Sequence, residues 1–290
     1  MRIQCGYEIS FDCTQPTPMV AMLRVHPSRR QDLETPDLLT ADPGVETNEF
    51  TDLFGNVCTR LIAPAGTIAL RSDFVIRDSG LPDPVAPDAP QLPIEELPDE
   101  ALVFLMSSRY CEVDKLTNLA WSLFGGVAPG WARVQAIVDY AHERITFGYE
   151  HADKWRSAGD AHEQRRGVCR DYAHLAVTLC RAMNIPARYC TGYLGDIGVP
   201  VMDAPMDFSA WFEVYLGGRW YTFDARHNTP RIGRIVIARG RDATDVAIST
   251  AFGTALLRSF KVITNELENL APSAAERREE QPAQEFRIAS

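Results

Sequence analysis

The apolar residues of this chain change their spacing twice, and that change limits the fold more than any other feature. From residue 3 to 77, runs such as IQCGYEISFDC, MVAMLRVHP, CTRLIAP and TIALRSDFVI alternate apolar and polar side chains between DPG, FGN and APAG turns. Alternation with period two turns one face of each segment toward a core and the other toward water, which predicts an all-β module. Six prolines between Pro82 and Pro98 then remove backbone donors and fix φ, which predicts an extended connector. Beyond it, DEALVFLMSSRY and WARVQAIVDYAHERI repeat at helical spacing, with Val134, Ile137, Val138 and Ala141 on one stripe. From Ala187 period two returns in ARYCTGYL, AWFEVYL, RWYTF, RIVIA, VAISTAFG and LLRSFKVITNEL. Helices followed by a run of strands predict an α+β fold rather than an alternating α/β sheet. The expected division is an N-terminal β domain over 1–80, a Pro-rich linker over 81–98, a core over 99–266 and a polar, disordered tail over 267–290.

With 290 residues and 46% hydrophobic content the chain can bury a full core. A formal charge of -10 argues against nucleic acid as a partner, because a phosphate-binding surface concentrates Lys and Arg. The N-terminal MRIQCGYEISFDC has no apolar signal core, and no window approaches the ~18 uninterrupted apolar residues of a membrane span. The expectation is a cytoplasmic protein with no membrane partner. Seven cysteines are spread over the chain with no CxxC pair, and no histidine spacing reads as zinc, so no metal is expected and most thiols are expected to be reduced and buried.

Cys169 stands apart by its position. In RRGVCRDYAHLAVTLCRAMNIPARY a helix starting at Val168 places Cys169, Tyr172, Ala173, Ala176, Leu179, Cys180 and Met183 on one face and ends at Asn184 and Pro186. Cys169 therefore falls in the first turn, where free N–H groups and the positive end of the helix dipole are expected to lower a thiol from about 8.5. Gly167 before it is expected to leave room for a substrate backbone.

GVCRDYAHL (167 to 175), SAWFEVY (209 to 215) and WYTFD (220 to 224) stand in the order and spacing of the transglutaminase-like superfamily of bacteria, which the chain resembles over roughly 100 to 265. The resemblance implies a papain-like α+β core, Cys169 as nucleophile and Asp224 as the residue that orients a histidine base. The position of that histidine holds Ser209. A hydroxyl does not titrate near neutral pH, and loss of the base in triads costs roughly 10⁴- to 10⁶-fold in turnover. His227, three residues after Asp224, is the candidate substitute; His174, about 140° round the helix from Cys169, points away from it, and His162 is read as a loop residue. Trp211, Tyr172 and Trp220 are the candidates for a substrate slot, and Glu213 and Asp171 are read as structural charges.

Two functions stay open on this reading. One is a cysteine-dependent acyltransferase or amide hydrolase acting on a peptide or protein amide through acyl-Cys169. The other is a groove that binds a peptide or protein without turnover. Neither implies a cofactor, and no acidic cage suggests calcium. The oligomeric state is not readable from the sequence.

Overall fold

The computed structural model describes residues 1–201 and 206–267. The expected tail beyond Leu267 lies outside the described residues. Among them, no helix is long and apolar enough to cross a membrane.

The N-terminal alternation becomes six strands: β1 (Arg2–Cys13), β2 (Thr17–Ala21), β3 (Thr40–Asp42), β4 (Thr47–Thr51), β5 (Val57–Ala63) and β6 (Gly66–Arg77). Ile3, Cys5, Tyr7 and Ile9 on β1 and Ile68, Leu70, Phe74 and Ile76 on β6 are buried, as a one-sided strand pattern requires. The helical region holds a single-turn α1 (Asp99–Leu102), α2 (Val113–Phe124) and α3 (Trp131–Arg144). A two-residue β7 (Thr146–Phe147) follows, then α4 (Ala158–Gln164), β8 (Arg166–Gly167) and α5 (Cys169–Ala182). The period-two segments after it form β9 (Ala187–Tyr193), β10 (Ser209–Leu216), β11 (Arg219–Phe223), β12 (Ile235–Gly240), β13 (Ser249–Ala251) and β14 (Ala255–Leu267). The whole is an α+β fold with an N-terminal β-rich part, as the patterning implies.

The antiparallel sheet β11-β10-β9-β12 packs one face on α5: Phe212, Val214 and Leu216 of β10 share a buried cluster with Leu175, Ala176, Leu179 and Cys180. Gly217 (φ +55) and Gly218 (φ +88) make the tight β10–β11 hairpin, since two left-handed residues match the twist of the flanking strands.

Two placements differ from the expected division. The strands β13 and β14 pair with β2 and β1, in the sheets β13-β2-β5-β4 and β14-β1-β6-β3, and not with the sheet that follows α5. β14 runs along the whole of β1, from Arg2 against Leu267 to Cys13 against Ala255, so the chain returns to complete its own N-terminal module. The proline segment is extended but docked. Trp131 N–H donates to Ala89 O (3.0 Å), Gly217 N–H donates to Pro90 O (2.8 Å), and Asp83 accepts from the Arg231 backbone and the Arg234 side chain.

Candidate active site

α5 starts at Cys169 because Asp171, two residues on, folds its carboxylate back onto the Val168 N–H (2.8 Å), satisfying a donor that the helix itself leaves unpaired. Asp171 is fully buried and also meets Arg156 at 3.3 Å. A Cβ on Gly167 would lie 2.5 Å from the Asp171 carboxylate. That space is filled by the cap, so Gly167 serves the helix start rather than an approaching substrate.

Cys169 is partly exposed, whereas the other six cysteines are buried. Burial of the sulfur pushes its thiol up to about 11; the Arg226 guanidinium and the Ala210 backbone N–H act in the opposite direction, and the Asp207 carboxylate adds to the rise. The thiol is therefore raised and not lowered, because desolvation outweighs Arg226 and the Ala210 N–H. At neutral pH the group is a thiol, and its chemistry requires a base at the moment of attack.

Two cavities meet at this sulfur. A groove of about 300 Å³ is lined by Cys169 together with the charged Lys154 and Arg170 and the apolar Phe208, Ile248 and Phe260. A smaller cavity of about 40 Å³ joins Cys169 to Ser209, Asp207, Arg226 and His227. Ser209 lines both, is 6% exposed, and its Oγ has no hydrogen-bond partner among the described residues.

Asp224 closes β11 and reverses the chain around its own carboxylate. Its Oδ1 accepts from the Arg226 and His227 N–H groups (3.0 Å each), a short turn of the type aspartate favours. This brings His227 Nδ1 to 2.9 Å from Oδ2. An ionised carboxylate can only accept, so Nδ1 carries the proton and Nε2 is left as the basic nitrogen of a ring that lines the cavity of Cys169. Arg234 Nη2 donates to the same Oδ2 (2.9 Å). Burial alone would raise the Asp224 carboxyl, but Arg234 and His227 outweigh it and hold it far below the usual carboxylate range.

The structure thus brings together Cys169, Ser209, Asp224 and His227. The three slot candidates lie elsewhere. Trp211 is buried beneath the Arg234 guanidinium (5.1 Å to the ring) with Cys190 and Val236. Tyr172 donates to Ile145 O (2.5 Å) inside the α5 core, and Trp220 packs on Phe104 and under Arg188. None of them lines the two cavities at Cys169: each is taken up in packing at a different place along its element. Glu213 is structural, held by Arg188 (2.6 Å) and Arg239 (2.9 Å). His174 is buried, its imidazolium pushed down to about 3, and its Nε2 accepts from Ala243 N–H. His162 lies on α4, not in a loop, and faces Tyr140 and Arg144. The arginines of PRIGR were legible as partners for Asp224, and Arg234 is the one that takes that place. Sequence reasoning missed Asp207 and Asp83; the acidic residue between Pro82 and Pro84 was the one local sign that the proline segment carries a contact. Among the described residues no group of His, Cys, Asp and Glu could hold a metal ion.

The transglutaminase-like superfamily pattern matches residues 117–225, which takes in Cys169, Ser209 and Asp224 and ends before His227. A solved structure described as a "Putative Cysteine Protease from Cytophaga hutchinsonii" is 31% identical, covers 92% of this chain and 91% of its own, and superposes with a TM-score of 0.80. An uncharacterized protein of Mycobacterium leprae is 26% identical over 215 residues, 71% of this chain and 75% of that one. One of Mycobacterium tuberculosis is 29% identical over 231 residues, 72% and 73% of the two chains. Built on a helix-borne cysteine beside an antiparallel sheet, and related over nearly its full length to such a structure, the chain belongs to the transglutaminase-like superfamily.

Proposed function

We propose that the protein is a cysteine-dependent acyltransferase or amide hydrolase acting on peptide or protein amides, with His227 in place of the histidine that Ser209 does not supply. The observation that carries this reading is the Asp224–His227 pair at 2.9 Å whose imidazole lines the cavity of the Cys169 sulfur. His227 Nε2 takes the thiol proton, directly or through a water, for which about 40 Å³ is room enough. The sulfur attacks the amide carbonyl, the C–N bond breaks, and the amine departs with the proton held by His227. Water or a second amine then attacks the thioester and frees Cys169. Asp224, kept ionised by Arg234, stabilises the imidazolium formed at each transfer. The groove beside Lys154, Arg170 and Phe260 takes the acyl part. Acyl transfer from a thiol needs no cofactor, and the free thiols fit a reducing, cytoplasmic setting.

A groove that binds without turnover is the second reading, favoured by the thiol near 11 and the unreactive Ser209. An activated ester followed by intact mass separates the two. The enzyme reading expects one acyl group on Cys169 that is then released, no acylation of Cys169→Ala, and acylation at least about 100-fold slower in His227→Ala. Ser209→His should speed it. Equal rates in the native chain and His227→Ala would exclude His227 as the base.

A further inference from the structure

Lys154 and Arg170, which line the groove shared with Cys169, are the two ends of a ladder in which cations and rings alternate. The Lys154 ammonium lies 5.0 Å from the centre of the Trp155 ring, the Arg109 guanidinium 5.5 Å from that ring and 5.4 Å from the Tyr110 ring, and the Arg170 guanidinium 5.3 Å from Tyr110. Hydrogen bonds to the backbone hold the ladder in place: Tyr110 Oη donates to Lys154 O (2.7 Å), Asp153 Oδ1 accepts from the Trp155 N–H (2.9 Å), and Arg170 Nη2 donates to Asp153 O. Trp155 is nonetheless 65% exposed, with Lys154 and Arg109 exposed beside it. An indole fixed in this way adds little burial to the fold. What it does is hold two cations at set places with their N–H groups open to water.

Among the described residues Arg109 and Lys154 make no ion pair and no side-chain hydrogen bond; their charged groups meet only the rings. The carboxylate nearest Arg170, that of Asp171 at 3.7 Å, is already taken up by Arg156 and the Val168 N–H. Two carboxylates line the groove itself: Asp207, which shares the small cavity at the sulfur with Arg226, and Asp153, which is turned back onto the Trp155 N–H. Three cations thus stand around one carboxylate at the ladder, in a chain whose formal charge is -10. We infer that this ladder is the recognition rim of the groove and selects peptides with acidic side chains next to the reacting amide; the inference rests on the acyl-transfer reading and names its substrate class. Each exposed pairing of a carboxylate with Lys154 or Arg109 is weak, but several together rank substrates by charge and speed their encounter with the groove.

Titration calorimetry on full-length Cys169→Ala reads binding without turnover, with N-acetylated heptapeptides whose central glutamine is flanked by glutamate, alanine or lysine. The glutamate peptide is expected to bind about fivefold tighter than the alanine peptide at low salt, and the lysine peptide more weakly than either. The preference should fade in about 0.5 M sodium chloride. Adding Arg109→Gln and Lys154→Gln together should bring the glutamate peptide to the level of the alanine peptide. Should that variant lose the native circular dichroism spectrum, the glutamate and lysine comparison decides. Failure of the acyl-transfer reading looks different: the charge preference is present in Cys169→Ala while the native chain leaves both the peptides and an activated ester unchanged. Equal binding of the glutamate and lysine peptides overturns the inference, as does a preference that survives the double substitution in a folded chain, or no binding of the glutamate peptide up to about 10 mM.

Discussion

Asp207 and Arg226 flank the Cys169 sulfur with opposite charges, and the thiol responds to both on top of its burial. Removing the negative neighbour stabilises the thiolate. Asp207→Asn is therefore expected to raise the Cys169 alkylation rate at pH 8 several-fold and to shift its pH profile to lower values, while the native rate keeps rising toward about pH 11, as iodoacetamide kinetics will show. Asp224 is the second pivotal residue. Its side chain is 2% exposed and answers both the buried Arg234 and His227, so Asp224→Asn removes a buried carboxylate from two partners and leaves the Arg234 guanidinium on Asp83 alone. A loss of about 3–5 kcal/mol in urea-induced unfolding is expected, well beyond what a missing surface ion pair costs.

At the scale of elements, the start of α5 decides where the sulfur stands. Gly167 admits the Asp171 carboxylate, and that carboxylate caps Val168. In Gly167→Ala the new methyl collides with Asp171 Cβ and carboxylate at 2.5–2.6 Å. The cap must move, and a destabilisation of about 1–3 kcal/mol with altered Cys169 reactivity is expected from thermal unfolding and alkylation measured on the same variant. The hairpin of β10 and β11 was readable from GG between aromatic runs, since its turn chemistry is local. α4 was not readable as a helix: it is seven residues, set by a Ser157 and Asp160 capping box rather than by an apolar stripe.

For the whole molecule, the N-terminal sheets include the last described strands. A chain ending at residue 254 lacks β14, leaving β1 with an open edge along its full length. Loss of cooperative thermal unfolding is expected, read by far-ultraviolet circular dichroism. Acid stability also has a global signature. His174 is neutral and buried with its folded value near 3, against about 6.5 unfolded, so the unfolded chain binds the extra proton and stability falls as pH drops from about 6.5 to 3. Asp224, depressed in the fold, adds a further fall below about pH 4. The melting temperature should decline already between pH 6.5 and 5, and less steeply in His174→Gln.

The sequence by itself determined the element types, the cysteine at a helix start, the strand ending in Asp224 and the α+β order, because periodicity, capping and turn chemistry act within a few residues. The tertiary structure decided what depends on distant contacts. It returned β14 to β1, set Asp83 on Arg234, turned His227 onto Asp224 beside the sulfur, and raised the thiol that the helix terminus alone would have lowered. Burial and pairing between residues far apart in the chain are properties of the packed molecule, and no local pattern encodes their balance.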